Sequence, residues 1–211
     1  MIIDTTHYFS SITPAESKRE KTHLKLIDAS IDLLYEKGFH HASIKEICEI
    51  SGVANGTFYN HFIDKEDIYS QSAMYISRVL AAHVNLKKSE VRTPADVVIT
   101  GHLEYINFLS VRPKWAAVLI QSTRGHYGRD VWSLNKRRIS ADVKKGITAD
   151  VFPIKFDPFL IDQIMQIVLH SIGQQIIYAP SKTITKKASI AIMRLLKYEE
   201  SWWNDEIICR T

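Results

Sequence analysis

One stretch in the first third of the chain most constrains how it folds, because it predicts two short helices around a tight turn. Ser43 and Glu46 have the spacing of a capping box, in which a hydroxyl and a carboxylate each satisfy an unpaired backbone N–H at a helix start. Gly52 can end that helix, since glycine tolerates a positive φ. After the turn, Phe58 and Phe62 lie four residues apart and share one helix face. The pattern predicts two buried anchors on a helix whose other faces carry polar groups outward.

Helix, glycine-containing turn and second helix are the parts of a helix-turn-helix, whose second helix fits the DNA major groove. Four motifs mark it: Gly38-Phe39 at a helix end, Ala42-Ser43-Ile44, Gly52-Val53-Ala54-Asn55-Gly56-Thr57-Phe58-Tyr59-Asn60-His61-Phe62, and Lys65-Glu66. Together they closely resemble the N-terminal domain of TetR/AcrR-family transcriptional regulators. The resemblance covers about residues 20–70, and the rest of the chain resembles the family only in its helical layout.

The resemblance implies which residues contact DNA. They are Ser43, Lys45, Asn55, Gly56, Thr57, Tyr59, His61 and Lys65. Ser43, Lys45 and Lys65 would hold phosphates, and both lysines stand at predicted helix starts, where backbone N–H groups also favour phosphate. Gly56 would allow close approach, and Asn55 stands where family members commonly carry a basic residue. Its amide can read an adenine edge or a phosphate but adds no charge. For Tyr59, packing against the first helix is the alternative.

The charge of the N-terminal third permits DNA binding without requiring it. The whole chain has a net charge of +4, but residues 1–65 hold seven basic and nine acidic side chains. Three of the bases, Lys18, Arg19 and Lys21, cluster at the end of the predicted arm. An arm with this charge can touch neighbouring phosphates or the minor groove, and a terminus without a role is the alternative.

The sequence predicts an all-α protein, because apolar residues recur at helical spacing and no segment has the alternation of a β-strand. We predict a flexible arm over residues 1–17, a three-helix helix-turn-helix domain over 18–65, and a larger helical ligand-binding and dimerisation domain over 66–211. Capping signals start helices at Asp64 and at Thr93-Pro94. The helix from Asp64 is long, and we expect it to act as a lever that changes the spacing of the reading heads in a dimer.

A sensing pocket in the second domain is the next expectation, and the resemblance also implies an inducer cavity there. Aromatic walls with a few polar groups between helices are typical of small-molecule sites. The candidate lining residues are His102, Tyr105, Phe108, Trp115, Leu119, Gln121, Trp132, Gln166 and His170. Such a lining favours an apolar or aromatic effector with one or two polar handles, although large apolar residues also fill any helical core.

A homodimer is predicted from the helix over residues 159–178, which is apolar nearly all round and must therefore be buried on more than one side. One side can face its own core and the other a second subunit, with the following helix completing a four-helix interface. The candidate interface residues are Gln163, Ile167, Ser171, Gln174, Ile192 and Leu196.

Catalysis and metal binding find little support. Ser133 and Lys136 match a Ser-x-x-Lys pattern without its partner motifs, and no phosphate loop or nucleophile elbow occurs. No Cys-x-x-Cys or pair of histidines four apart occurs, so we expect no metal and no cofactor. Cys48 is expected to be a core residue. We expect a cytoplasmic regulator, most simply a repressor. The first alternative is a DNA-binding protein whose second domain binds a protein partner, and the second is an all-helical enzyme. The sequence does not separate a repressor from an activator.

Overall fold

The computed structural model describes residues 17–123 and 128–198 of the chain, and these residues form nine helices and no strand. The helices are α1 (Lys18–His41), α2 (Ile44–Ser51), α3 (Asn55–Phe58), α4 (Lys65–Lys88), α5 (Pro94–Ser110), α6 (Pro113–Ser122), α7 (Arg129–Thr148), α8 (Pro158–Tyr178) and α9 (Lys182–Leu195). The predicted all-α class is confirmed. The predicted arm over residues 1–17 lies outside the described residues except for Ser17.

Helix starts follow the predicted capping signals. The Thr93 hydroxyl accepts the backbone N–H of Asp96 at 3.1 Å, with Pro94 at the first position of α5. At the start of α4, the Asp64 carboxylate accepts the backbone N–H of Asp67 at 2.8 Å. Each cap satisfies a backbone donor that has no partner within its helix. The helix boundaries predicted from these signals are therefore confirmed.

The first helix does not end at Gly38 as a simple C-cap would. Gly38 has φ +73° and ψ 168°, which breaks the helical path, and the chain then makes one more turn to His41. The backbone N–H of Ala42 closes this turn by donating to the Gly38 carbonyl at 3.2 Å. Glycine is needed here because other residues rarely adopt this positive φ. The kink sets where α2 begins.

The described residues divide into two compact units, which differ from the predicted domains. The first unit holds the residues up to Arg78 together with Arg112–Trp132, and the second holds Val79–Val111 together with the residues from Ser133 onward. The sequence pattern placed α6 in the larger domain. In the structure α6 packs on α1 within the first unit, where an ion pair of 2.8 Å joins Lys114 to Asp32.

The second unit is built on α5, α8 and α9, which pack on one another. Its core is apolar, as expected from the composition of α8, but it also encloses polar side chains. The Gln175 amide donates to Thr185 at 3.0 Å, and the ring of His102 lies 2.9 Å from the Ser189 hydroxyl. Buried polar groups need such partners because leaving them unpaired is costly.

Gly52 offers a test of the turn. Its φ of +66° is left-handed, and an added Cβ would meet no atom within 4 Å, so any cost of substitution comes from the backbone alone. We expect Gly52→Ala to lower the free energy of unfolding by about 1 kcal/mol, and Gly52→Asn by less. Urea denaturation followed by circular dichroism measures it. Gly56→Ala is the matched control, because Gly56 also has open space but no positive φ. Equal effects of the two alanine substitutions would contradict the argument.

Candidate nucleic-acid interface

The start of α2 is held by the predicted capping box. The Ser43 hydroxyl accepts the backbone N–H of Glu46 at 3.3 Å, and the Glu46 carboxylate accepts the backbone N–H of Ser43 at 3.0 Å. Lys37 forms an ion pair with the same carboxylate. Hydrogen bonds from Lys37, and secondly from Ser43, lower the pKa of Glu46 to about 2. The carboxylate is therefore ionised at neutral pH, and the box is held from two sides.

The turn after α2 follows its glycine. Gly52 ends the helix in the left-handed region, and the backbone N–H of Val53 donates to the Cys48 carbonyl at 3.0 Å. Cys48 is buried, as predicted for a core residue, and its thiol lies 3.8 Å from the side-chain oxygen of Asn55. Asn55 is exposed, and with its oxygen turned towards Cys48 its amide N–H groups can donate outward. It can therefore replace the hydrogen bonds of a basic residue without its charge.

The second helix of the motif is shorter than the predicted Gly56–Phe62. Regular helix ends at Phe58, and the backbone N–H of Asn60 donates to the Thr57 carbonyl in a tighter turn. The path is still helical enough for the N–H of Phe62 to reach the Phe58 carbonyl at 3.0 Å. Ala54 provides no side-chain cap, so α3 has little local support of its own. Tertiary packing must hold this segment in place.

Two phenylalanines provide that packing. Phe58 is 0% exposed and Phe62 is 2% exposed, and their ring centroids lie 5.5 Å apart. The ring of His23, on α1, stacks on Phe62 at 4.7 Å. Burying a phenylalanine side chain contributes about 1.5 to 3 kcal/mol, more than any single hydrogen bond of this short segment. The predicted anchors are therefore the elements that fix the outward face.

The outward face carries the residues implied to read DNA. Tyr59 is 58% exposed, and its ring meets Phe58 edge-on at 5.4 Å. Gly56 is also exposed, whereas Thr57 and His61 are half-buried at the edge of the face. The structure thus brings four of the predicted residues together on one short segment. Their roles towards DNA stay predictions.

Among the predicted phosphate ligands, Lys45 and Lys65 have different surroundings. Lys45 is exposed and lies 3.8 Å from Glu49 one turn on. The Lys65 ammonium instead donates to the carbonyls of Phe39 at 2.9 Å and Ala42 at 3.1 Å, and it lies 4.6 Å from the centre of the Phe39 ring. Two of its three N–H donors are thus already used within the protein. Lys65 joins the start of α4 to the end of α1, a task that sequence reasoning missed.

Two histidines and an arginine gather beside the reading segment. The rings of His23 and His61 lie 5.8 Å apart, and the Arg19 guanidinium donates to the Asn60 carbonyl at 3.5 Å. Burial lowers the pKa of His23, and the neighbouring His61 lowers it further. Burial, and then the charge of Arg19, lower the pKa of His61. At neutral pH the uncharged form of both rings is therefore favoured in the free protein.

The predicted pocket residues fall into different compact units. Trp115, Leu119, Gln121 and Trp132 belong to the first unit, and His102, Tyr105, Phe108, Gln166 and His170 belong to the second. Trp115 and Leu119 are buried core residues, and the Gln121 amide lies 3.5 Å from the Leu34 carbonyl of α1. Gln166 and His170 lie on the exposed side of α8. The structure does not gather these nine residues within either unit.

Within the second unit, Tyr105 has the polar surroundings expected of a sensing residue. Its hydroxyl accepts the Asn135 amide at 3.3 Å, and Arg138 donates to the same Asn135 at 3.2 Å. Burial raises the pKa of Tyr105 to about 12, and burial lowers the pKa of His102 to about 4. Both groups are therefore neutral at physiological pH. Asn135 and Arg138 were missed from the sequence because they lie on the otherwise polar α7.

The predicted dimer residues divide by burial. Ile192 and Leu196 are 0% exposed within their own chain, which leaves them no surface for a partner and removes them as interface residues. Ser171 is also buried, and its hydroxyl donates to the Ile167 carbonyl at 2.7 Å. Gln163 is exposed, and Ile167 and Gln174 are half-buried. Of the candidate interface residues, only Gln163, Ile167 and Gln174 on α8 therefore keep surface that a second subunit could cover.

A search of the described ranges for three or more His, Cys, Asp or Glu side chains placed to hold a metal ion finds no such group. Over the same ranges no helix is long and apolar enough to cross a bilayer.

Lys65 provides a test of the link between α4 and α1. We expect Lys65→Met to lower the free energy of unfolding by about 1 to 3 kcal/mol, because methionine keeps the aliphatic stem but loses the charged hydrogen bonds to two carbonyls. Thermal and urea denaturation measure it. Lys45→Met is the matched control, since Lys45 makes only an exposed ion pair and should change stability by less than about 0.5 kcal/mol. A Lys65 variant as stable as the control would show that the hydrogen bonds of Lys65 to the two carbonyls do not stabilise the fold.

Comparison with known proteins matches the region of the motif. The family model described as "Bacterial regulatory proteins, tetR family" matches residues 26–71. The fatty acid metabolism regulator protein of Bacillus subtilis (strain 168) is 40% identical over 53 residues, which are 25% of this chain and 27% of that protein. The chain thus spans about a quarter of the length of that relative. The residues that the family model matches lie within the first unit.

Solved structures are similar over most of the chain. A TetR-family regulator from Syntrophomonas wolfei superposes with a TM-score of 0.75 at 18% identity, covering 89% of this chain and 100% of that one. The protein RolR, solved in complex with resorcinol, superposes with a TM-score of 0.69 at 21% identity, covering 92% of this chain and 96% of that one. At these identities the likeness concerns the fold.

Proposed function

Because the chain belongs to the TetR family of bacterial regulatory proteins, we propose that it is a DNA-binding transcriptional regulator without enzymatic activity. It acts in the cytoplasm as a homodimeric repressor, binds a near-palindromic operator, and leaves that operator when a small molecule binds its second unit.

The observation that carries this proposal is the exposed face of the helix-turn-helix. Asn55, Gly56 and Tyr59 are exposed on a segment that is held by two buried phenylalanines. A protein that reads the major groove needs polar groups and a close-approaching backbone on one rigid surface. Thr57 and His61 flank the same face. The proposed DNA contacts on this face come from this group.

Phosphate contacts come from the rim of that face. Arg19 and Lys45 are exposed cations, and Ser43 is an exposed residue at the start of α2 whose hydroxyl already donates to Glu46 at 2.7 Å. Lys65 contributes less directly than the sequence predicted, because it is engaged with α1. Two such heads in a dimer bind half-sites centred about 34 to 36 Å apart, one turn of the double helix.

The exposed face of α8 is the proposed dimer contact. The face consists of residues spaced by three, four or seven positions along the helix: Phe159, Gln163, Ile167, Gln174 and Ile177. Phe159 and Ile177 are large apolar side chains left exposed by their own chain, and a second copy of α8 would cover both. The contact is isologous, so each residue of the face meets the same face of the partner.

Charge substitution tests this contact. We expect Ile177→Glu to raise the dissociation constant of the dimer at least about tenfold, because a carboxylate would be buried against an apolar face. Sedimentation equilibrium measures it. The matched control is Val111→Glu, since Val111 is 63% exposed and Ile177 is 69% exposed. Equal dimer dissociation constants for the two variants would show that the contact does not include this end of α8.

The proposed effector is a small apolar or aromatic molecule with polar handles. The neutral Tyr105 hydroxyl, Asn135 and His102 supply polar groups among apolar helices of the second unit. Residues 133–198 hold eleven basic and four acidic side chains, which favours an effector that bears an acceptor or an acidic group. RolR, solved with resorcinol, is a fold neighbour with an aromatic ligand. Coupling of about 1 to 3 kcal/mol would change DNA affinity about 5- to 150-fold.

Selection from randomised duplex DNA at moderate salt tests the function as a whole. We expect enrichment of a two-fold symmetric site by the wild type, and its loss with Tyr59→Ala, because the exposed ring is removed without a change in the core. Sequencing of bound fragments measures it. Tyr35→Ala is the matched control, since Tyr35 is also an exposed tyrosine but lies beside Glu36, away from the reading segment in sequence.

The outcomes of the selection distinguish sequence-specific DNA binding from the alternatives. Enrichment that survives Tyr35→Ala but not Tyr59→Ala supports a dimeric sequence reader, and the enriched site then reports ligands that release it. A folded protein that enriches nothing would falsify the proposed function. Equal binding to all duplexes, whatever their sequence, would indicate phosphate contacts without base contacts. That result would also count against the proposed function.

A further inference from the structure

The cluster of His23, His61 and Arg19 contains two titratable imidazoles, which DNA binding as such does not require. His61 lies in the turn that follows α3, and His23 lies on α1 with its ring stacked on the buried Phe62. The two imidazoles are 5.8 Å apart between ring centroids. An imidazole within reach of a phosphate is a group whose charge can change between pH 5 and 8.

The charges around the pair come from three elements. Arg19 and Glu20 face it from α1, and Asp67 faces it from α4. Arg19 opposes protonation of both rings, whereas Glu20 and Asp67 favour protonation of His23 only. Burial weighs more on His23 than any of these charges. The positions of the two rings differ: His23 is stacked on the buried Phe62 at 4.7 Å, whereas the ring of His61 lies 6.3 Å from Phe62, on the segment proposed to contact DNA. His61 is therefore the ring that a bound phosphate would reach.

We propose that His61 takes up a proton when the helix-turn-helix binds a DNA phosphate while His23 stays neutral, so that DNA affinity rises as the pH falls. This inference rests on the proposed function. A phosphate that lies against Arg19 and His61 offsets the repulsion between the two cations and supplies an acceptor for the imidazolium. His23 then acts as a positioning residue, because its neutral ring holds Phe62 and lies beside His61 without competing for the proton.

The direction of the pH effect follows from linkage. In the free protein the pKa of His61 is below its ordinary value, and the neighbouring phosphate raises it in the complex. The complex therefore binds more protons than the free protein, and the association constant increases as the pH falls through the pKa of the complex. The gain is complete once the pH is below the pKa of the free protein. Uptake of one proton changes the constant by up to about tenfold per pH unit.

The experiment measures the dissociation constant between pH 8 and pH 6 at fixed ionic strength. The probes are the duplex enriched by selection and a duplex of random sequence, since a phosphate contact is present on both. We expect the wild-type constant to fall about tenfold over this range. His61→Gln should bind with a flat profile, whereas His23→Phe, which keeps an aromatic ring on Phe62, should retain the slope. His83→Gln, a histidine of the second unit, is the control for general effects.

The results separate the two claims. A protein that binds neither duplex at pH 8 or pH 6 contradicts the proposed function, whereas binding with a flat wild-type profile overturns the proton uptake alone. A slope that persists in His61→Gln, or one that is lost in His23→Phe instead, also overturns it. Proton NMR of the wild type gives a second readout that needs no variant. The pKa of His61 should rise in the complex and that of His23 should not.

Discussion

Burial of Phe58 and Phe62 is the interaction on which the reading surface depends. The segment from Asn55 to Phe62 has one helical turn, no side-chain cap and tight turns at its end, so it has little stability as an isolated helix. Two fully buried rings hold it against α1 and leave its other side chains at the surface. The same contact therefore stabilises the fold and sets the orientation of the proposed DNA contacts.

The parts that support these rings are polar and local. Gly38 redirects the chain after α1, Ser43 and Glu46 cap α2, and Lys65 brings the start of α4 back to the carbonyls at the end of α1. Each device satisfies backbone groups that a short helix leaves unpaired. Because α2 has only 8 residues and α3 only 4, their ends make up much of these two helices, and the caps contribute correspondingly more.

The second unit is organised around buried polar contacts within an apolar bundle. His102 with Ser189, and Gln175 with Thr185, lie among the apolar side chains of α5, α8 and α9. Such pairs favour one arrangement of the helices, since another register would leave buried groups unpaired. This unit is where we place effector binding. Its basic character over residues 133–198 distinguishes it from the nearly balanced reading head.

The sequence by itself determined the features that depend on neighbours along the chain. Capping at Ser43, Asp64 and Thr93, the left-handed turn at Gly52 and the burial of Phe58 and Phe62 follow from local spacing, and the structure has all of them.

Only the tertiary structure decided which surfaces meet. In the structure α6 belongs to the first unit, and Lys65 donates to a carbonyl at the end of α1. Ile192 and Leu196 are buried within their own chain, and His23 lies beside His61. Helical periodicity identifies an apolar face but not its partner, because any sufficiently apolar surface can cover it. The choice among partners is made by the packing of all the helices together.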